Sequence, residues 1–154
     1  MDLQGLTIRT VTEQDLGAVE RLLERVELPC EGLADQWGAG FAVAVEEGDI
    51  VGAAGIERYG RFGLLRSVVT EPRGRGRGIA QALVRNRLAW AGTEGLDGVY
   101  LLTTTAGDYF PRLGFEPVPR DELPVEIRES KEFAGVCPAS AAAMRIGIGD
   151  GGAG

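Results

Sequence analysis

The sequence predicts an α/β fold, with a mixed, mostly antiparallel central sheet flanked by helices. Three observations predict it. Alternating apolar runs joined by short turns fill residues 41–70. A Gly/Arg-rich turn then opens a helical stripe of Ala80, Leu83, Val84, Leu88 and Ala91. A short apolar run at 99–103 follows. Strands first, then strand–helix–strand, imply both antiparallel and parallel pairs in one sheet.

The elements follow in order. Leu6, Thr7, Ile8 and Arg9 alternate as a short first strand. Thr12 stands as a helix N-cap with Asp15 in the first turn, and Leu16, Val19, Leu23 and Val26 share one helical face until Pro29. Residues 32–40 read as a loop or a short helical turn. Phe41, Val43 and Val45 alternate with alanines, Glu46-Glu47-Gly48-Asp49 is a hairpin turn, and 50–57 is the return strand. Tyr59-Gly60-Arg61 turns the chain into 62–70, whose Leu64, Leu65, Val68 and Val69 mark a central strand. Residues 108–113 read as a short helix stopped by Gly114. The chain after Phe115 reads as Pro-rich and irregular until a final strand at 142–148. No internal repeat or dividing linker is present, so residues 1–148 read as a single domain and 149–154 as a flexible Gly-rich tail.

Composition narrows the chemistry. The 154 residues contain no histidine, which excludes Ser-His-Asp and Cys-His catalysis and His-ligated metals. Cys30 and Cys137 are too few for a four-thiolate zinc site or a disulfide framework, so no metal site is expected. Sixteen basic against twenty-three acidic residues give −7, a field that repels nucleic acid. No run approaches the ~18 apolar residues of a membrane span. Met1-Asp2-Leu3-Gln4 lacks the basic and apolar regions of a signal peptide, and a cytoplasmic, reducing home is expected.

One segment stands out: Glu71-Pro72-Arg73-Gly74-Arg75-Gly76-Arg77-Gly78-Ile79-Ala80. The first N–H groups of a helix lack internal partners, and the helix dipole favours an anion there. Gly74, Gly76 and Gly78 let a backbone approach a phosphate closely, and Arg75 and Arg77 add local positive charge. The spacing is neither the dinucleotide fingerprint nor a P-loop. A flexible basic turn, or an RGG-like nucleic-acid segment, is the alternative reading.

Arg75-Gly76-Arg77-Gly78-Ile79-Ala80 resembles the acyl-CoA pyrophosphate loop of the GNAT superfamily of N-acyltransferases, whose pattern is Gln/Arg-x-x-Gly-x-Gly/Ala. The resemblance runs over about residues 6 to 146. It includes Leu64-Leu65-Arg66-Ser67-Val68-Val69 entering the loop and Tyr109-Phe110-Pro111-Arg112-Leu113-Gly114-Phe115 after the next strand. Leu102-Thr103-Thr104-Thr105-Ala106, Glu132-Phe133 and Cys137-Pro138-Ala139-Ser140-Ala141 look like the GNAT subfamily associated with arsenic-resistance operons.

The resemblance implies a sheet splayed between its fourth and fifth strands, with the pantetheine of acetyl-CoA in the gap. It implies main-chain contacts to the cofactor from Val68, Val69 and Thr70, and a pyrophosphate held by the amides of Arg75, Gly76, Arg77, Gly78, Ile79 and Ala80. An amine attacks the thioester, backbone N–H groups meet the oxyanion, and CoA leaves. The superfamily often places a Tyr where this chain has Phe110, to protonate the leaving thiolate. Tyr109 is about 100° away around a helix and does not simply replace it. A thiolate leaving without that acid costs roughly 2 kcal/mol at neutral pH, so transfer is slowed and not abolished. A non-catalytic acyl-CoA-binding or sensor module is the alternative. Many relatives pair as homodimers, and the resemblance implies one here.

With no histidine, a general base must be a carboxylate or water. Glu57 is the first candidate, against its reading as a solvated charge beside Arg58. Arg66, a charge within an apolar strand, needs a partner: the carboxylate of a substrate, or an internal Glu. Ser67 is grouped with it as a substrate contact, with a structural role as the alternative. Cys137 invites arsenic binding; a small buried thiol is the alternative. The expected activity is N-acetyl transfer from acetyl-CoA to a small-molecule amine, amino-acid-like in an arsenic-detoxification setting.

Overall fold

The computed structural model describes residues 5–28, 33–72, 78–103, 109–130 and 142–148. Seven strands form one sheet: β1 (Leu6–Thr10), β2 (Phe41–Glu46), β3 (Asp49–Tyr59), β4 (Phe62–Thr70), β5 (Gly98–Thr103), β6 (Glu116–Val118) and β7 (Ala142–Gly147), in the order β1-β2-β3-β4-β5-β7-β6. Every pair is antiparallel except β4 and β5, which are joined through helix α2 (Ile79–Thr93). This is the mixed, mostly antiparallel sheet that the sequence predicts.

Local chemistry accounts for the first helix. The Asp15 carboxylate accepts the Thr12 N–H at 2.7 Å, and Arg9 grips the same carboxylate at 2.8 and 3.1 Å. Those bonds start a helical turn (Glu13–Asp15) that leads into α1 (Leu16–Arg25). Helix α1 presents Val19, Leu22 and Leu23 to Phe41, Val43, Ala53 and Val69 on one face of the sheet. Alternation along β2 sends Ala42 and Ala44 to the other face, where they meet Ile79 and Leu83 of α2. The sheet is therefore buried on both faces where the two helices lie.

Three sequence expectations change. The return strand β3 runs to Tyr59 and not to residue 57, because the charge at Glu57 is neutralised inside the sheet and does not end it. Residues 116–128 are regular: they hold β6, a helical turn (Arg120–Glu122) and α4 (Val125–Arg128). Pro117 hid β6, and it is tolerated because β6 is the edge strand. Arg87 lies in the buried stripe of α2, a position that a purely apolar pattern passes over.

Candidate active site

Two features of β4 build the site. Its parallel pairing with β5 lasts only from Phe62 opposite Gly98 to Leu64 opposite Tyr100. β4 then runs on to Thr70 and β5 to Thr103 without pairing with each other, which opens a cleft between them. The second feature is a bulge. Against β3 the register moves from Ala53 opposite Val69 to Gly55 opposite Arg66, so Ala54 faces both Ser67 and Val68. Ser67 takes the left-handed conformation, φ +60°, within that bulge.

β4 leads through Glu71 towards α2. Gly78 caps α2 with φ +83°, a conformation that suits glycine. The first intrahelical bond runs from Ala82 N to Gly78 O, which leaves the preceding amides of the first turn without helical acceptors. No acidic side chain lies in that turn. The Thr70 hydroxyl, at the foot of the loop, is buried without a hydrogen-bond partner. An open strand edge, an orphaned hydroxyl and a helix N-terminus whose glycine cap supplies no side-chain acceptor fit an extended thioester chain ending in a pyrophosphate. Arg75, Gly76 and Arg77 lie outside the described residues.

Beside the bulge lies a buried polar cluster. Residues 55, 57 and 59 of β3 share a face, and the register sets Glu57 opposite Leu64 and Gly55 opposite Arg66. Glu57 and Arg66 are thus diagonal neighbours, within reach of long side chains. Arg66 Nη1 donates to Glu57 Oε2 at 3.2 Å, Tyr59 Oη donates to Glu57 Oε1 at 2.7 Å, and Arg66 Nε donates to Ser67 Oγ at 3.1 Å. Burial, then the hydrogen bond to Glu57, pushes the Tyr59 hydroxyl well above its ordinary pKa, so it stays a donor. The reading of Glu57 as a solvated charge beside Arg58 is replaced. Glu57 is 2 % exposed, and the exposed Arg58 pairs with Glu94 at 3.1 Å.

Glycine makes room here. A Cβ on Gly55 would overlap the ring of Phe41, its register partner on β2, while Arg66 is its partner on β4. Phe41 stacks at 5.2 Å on Trp37, whose indole N–H donates to Thr12 O at 2.9 Å. The Gln36 amide both receives the Arg58 N–H and donates to the Arg58 carbonyl, extending the β3 edge as a strand would. The sequence reading missed Tyr59 and Gln36; a tyrosine two residues from a strand glutamate was the signal available for the first.

Across the cleft, helix α3 (Tyr109–Arg112) follows β5. Phe110 is half-buried and packs edge-to-face on Phe115 at 5.7 Å. Tyr109 meets Phe110 at 5.0 Å and stays 43 % exposed, and partial burial raises its pKa. Val68 packs towards the α2 side and Val69 is buried under α1, as alternation requires. Among the described residues no group of three acidic or thiol ligands is placed to hold a metal, and no helix is long and apolar enough to cross a membrane. Cys30 and Cys137 lie outside the described residues.

A sheet that opens between two parallel neighbours, with a bulge and a helix N-terminus at the opening, is the frame of an N-acyltransferase. The chain belongs to the acetyltransferase (GNAT) family, whose model matches residues 9–115. The family's acyl donor is acetyl-CoA. The chain is 28% identical over 130 residues to an amino-acid acetyltransferase of Ralstonia nicotianae, covering 79% of this chain and 29% of that protein. It is 29% identical over 121 residues to an uncharacterized N-acetyltransferase of Chlorobaculum tepidum, covering 78% of this chain and 74% of that protein. The fold matches N-acetylglutamate synthase of Neisseria gonorrhoeae, solved with coenzyme A and N-acetyl-glutamate, with a TM-score of 0.81, 20% identity, and 94% of this chain and 35% of that one covered. It also matches Rv2747 of Mycobacterium tuberculosis, solved with CoA, with a TM-score of 0.77, 21% identity, and 92% of this chain and 99% of that one covered. The chain therefore spans about a third of the amino-acid acetyltransferase and of the synthase that it resembles.

Proposed function

We propose that this domain transfers the acetyl group of acetyl-CoA to the amine of an amino-acid-like small molecule. The observation that carries the reading is the cleft between β4 and β5, which opens beyond Leu64 and Tyr100. The thioester arm lies along the open edge of β4, with Val68, Val69 and Thr70 alongside it, and its pyrophosphate meets Gly78, Ile79, Ala80 and the loop before them. Phe110 borders the arm from across the cleft. The amine nitrogen attacks the acetyl carbon as the C–S bond breaks. The amine proton passes to a base and the thiolate takes a proton from water. The amino-acid acetyltransferase of Ralstonia nicotianae and the synthase of Neisseria gonorrhoeae support the acceptor class.

Glu57 and Arg66 lie beside the β4 bulge, and their pairing sets the roles proposed for them. Arg66 spends Nη1 on Glu57 and Nε on Ser67, and Glu57 holds a protein donor on each oxygen. Their geometry favours a frame around the bulge over a base and a carboxylate anchor, and water then takes the amine proton. Phe110 favours a second reading, a non-catalytic acyl-CoA sensor, because no hydroxyl stands at that place. A homodimer and an arsenic-resistance setting are proposed on the sequence resemblance alone, and a cytoplasmic home on the sparse cysteine content.

The test is release of free CoA from acetyl-CoA with a panel of L-amino acids and simple amines. Turnover with an α-amino acid supports transfer. Binding of acetyl-CoA without turnover on any acceptor overturns it in favour of the sensor.

A further inference from the structure

We propose that Tyr59, Glu57, Arg66 and Ser67 form one positioning chain that holds the β4 bulge in the shape acyl transfer needs, with Tyr59 and Ser67 as positioning residues. The inference rests on the reading that acetyl-CoA lies along β4. The chain is continuous: Tyr59 Oη to Glu57 Oε1 at 2.7 Å, Glu57 Oε2 to Arg66 Nη1 at 3.2 Å, and Arg66 Nε to Ser67 Oγ at 3.1 Å. It begins at the hairpin end of β3 and ends on the bulge residue itself.

Its direction is fixed by chemistry. Tyrosine with a raised pKa donates, an ionised carboxylate accepts, and a guanidinium only donates. The Ser67 hydroxyl therefore accepts from Arg66 and keeps its own proton to give elsewhere. The central pair is shut away from water, with side chains 3 % and 1 % exposed, so its bonds are not diluted by solvent.

Such a brace has a task at Ser67. A non-glycine residue at φ +60° costs about 1–2 kcal/mol, and Ser67 carries that cost within a strand and not in a turn. A bulge also leaves a backbone group outside the ladder, and this one lies where β5 has already departed. Donors aimed at a developing oxyanion work through placement, and a small displacement costs rate more than it costs binding of the donor molecule.

The test compares Tyr59→Phe, Ser67→Ala and Ser67→Gly with wild type. CoA release is followed with acetyl-CoA and each common L-amino acid as acceptor, beside titration of acetyl-CoA and thermal unfolding. Tyr59→Phe and Ser67→Ala are expected to lower kcat about tenfold, the size of one lost charge-assisted hydrogen bond. Affinity for acetyl-CoA stays within about twofold, because the pyrophosphate contacts are elsewhere. The double variant is no slower than the worse single one, since both cut the same chain. Ser67→Gly recovers most of the rate, because glycine enters the left-handed region freely. If Ser67→Ala fails to fold, Tyr59→Phe decides. A Tyr59→Phe enzyme with wild-type kcat, or a Ser67→Gly as slow as Ser67→Ala, overturns the chain and leaves acetyl transfer standing. Wild-type protein that releases no CoA with any acceptor overturns the transfer reading, and the chain with it.

Discussion

The Glu57 carboxylate meets the Arg66 guanidinium at 3.2 Å inside the sheet, one strand apart and one diagonal step along. The sequence offers Glu57 as a base and Arg66 as either a substrate anchor or the partner of an internal Glu; in the fold the two are one unit. Removing either therefore tests more than its own role.

Glu57→Gln separates a base from a frame. The amide keeps an acceptor for Tyr59 and leaves Arg66 buried without its counter-charge at that point, which costs about 3–5 kcal/mol of stability. Urea unfolding at neutral pH measures this. As a frame residue, Glu57→Gln lowers kcat with the shape of the pH–rate profile kept. As a base, it removes the acid limb of that profile.

Gly78→Glu places bulk and negative charge at the N-cap of α2. Gly78→Ala carries the same left-handed backbone cost, roughly 1–2 kcal/mol, without the charge. Acetyl-CoA affinity is expected to vanish in the first and to weaken modestly in the second. Equal affinities in two folded variants remove the pyrophosphate from this helix end.

Gly55→Ala tests the packing beside the site. The new methyl group meets the ring of Phe41, which is 1 % exposed. Overpacking of this kind costs about 1–3 kcal/mol. A melting temperature equal to wild type's contradicts the close approach.

Much of the fold was legible because period and turn chemistry agree. The Thr12–Asp15 start, the Glu47-Gly48 turn with both φ positive, and Gly78 at the entry to α2 are local signals. The splay between the fourth and fifth strands was legible only through family resemblance, since strand pairing is not written in one strand's residues. The bulge at Ser67 and the Tyr59–Glu57 bond depend on register across the sheet, so no local pattern announces them. Short elements such as β6 and α4 hold too few residues to show a period. Arg87 was missed for a different reason. Its charge masks a core position where the guanidinium donates to Ala39 O and Asn86 Oδ1 and lies over Trp90, and burial lowers its pKa.

Acid should expose the α1 start. Asp15 is held down to about 2 from an ordinary 3.8, first by its hydrogen bond with Arg9. A depressed carboxyl contributes its stability above the ordinary value and loses it as pH falls through the folded one. Asp15→Asn is expected to cost about 1–2 kcal/mol at pH 7, discounted because Arg9 is partly exposed. The gap between variant and wild type should narrow between about pH 4 and pH 2. A gap independent of pH contradicts the ion pair as its source.

The cleft between β4 and β5, with the start of α2, is the proposed seat of acetyl-CoA. Isothermal titration with acetyl-CoA, free CoA and a pantetheine fragment lacking the pyrophosphate tests it most directly. Acetyl-CoA and CoA are expected to bind in the micromolar range and the fragment not at all. Equal binding of all three, or binding of none, contradicts it.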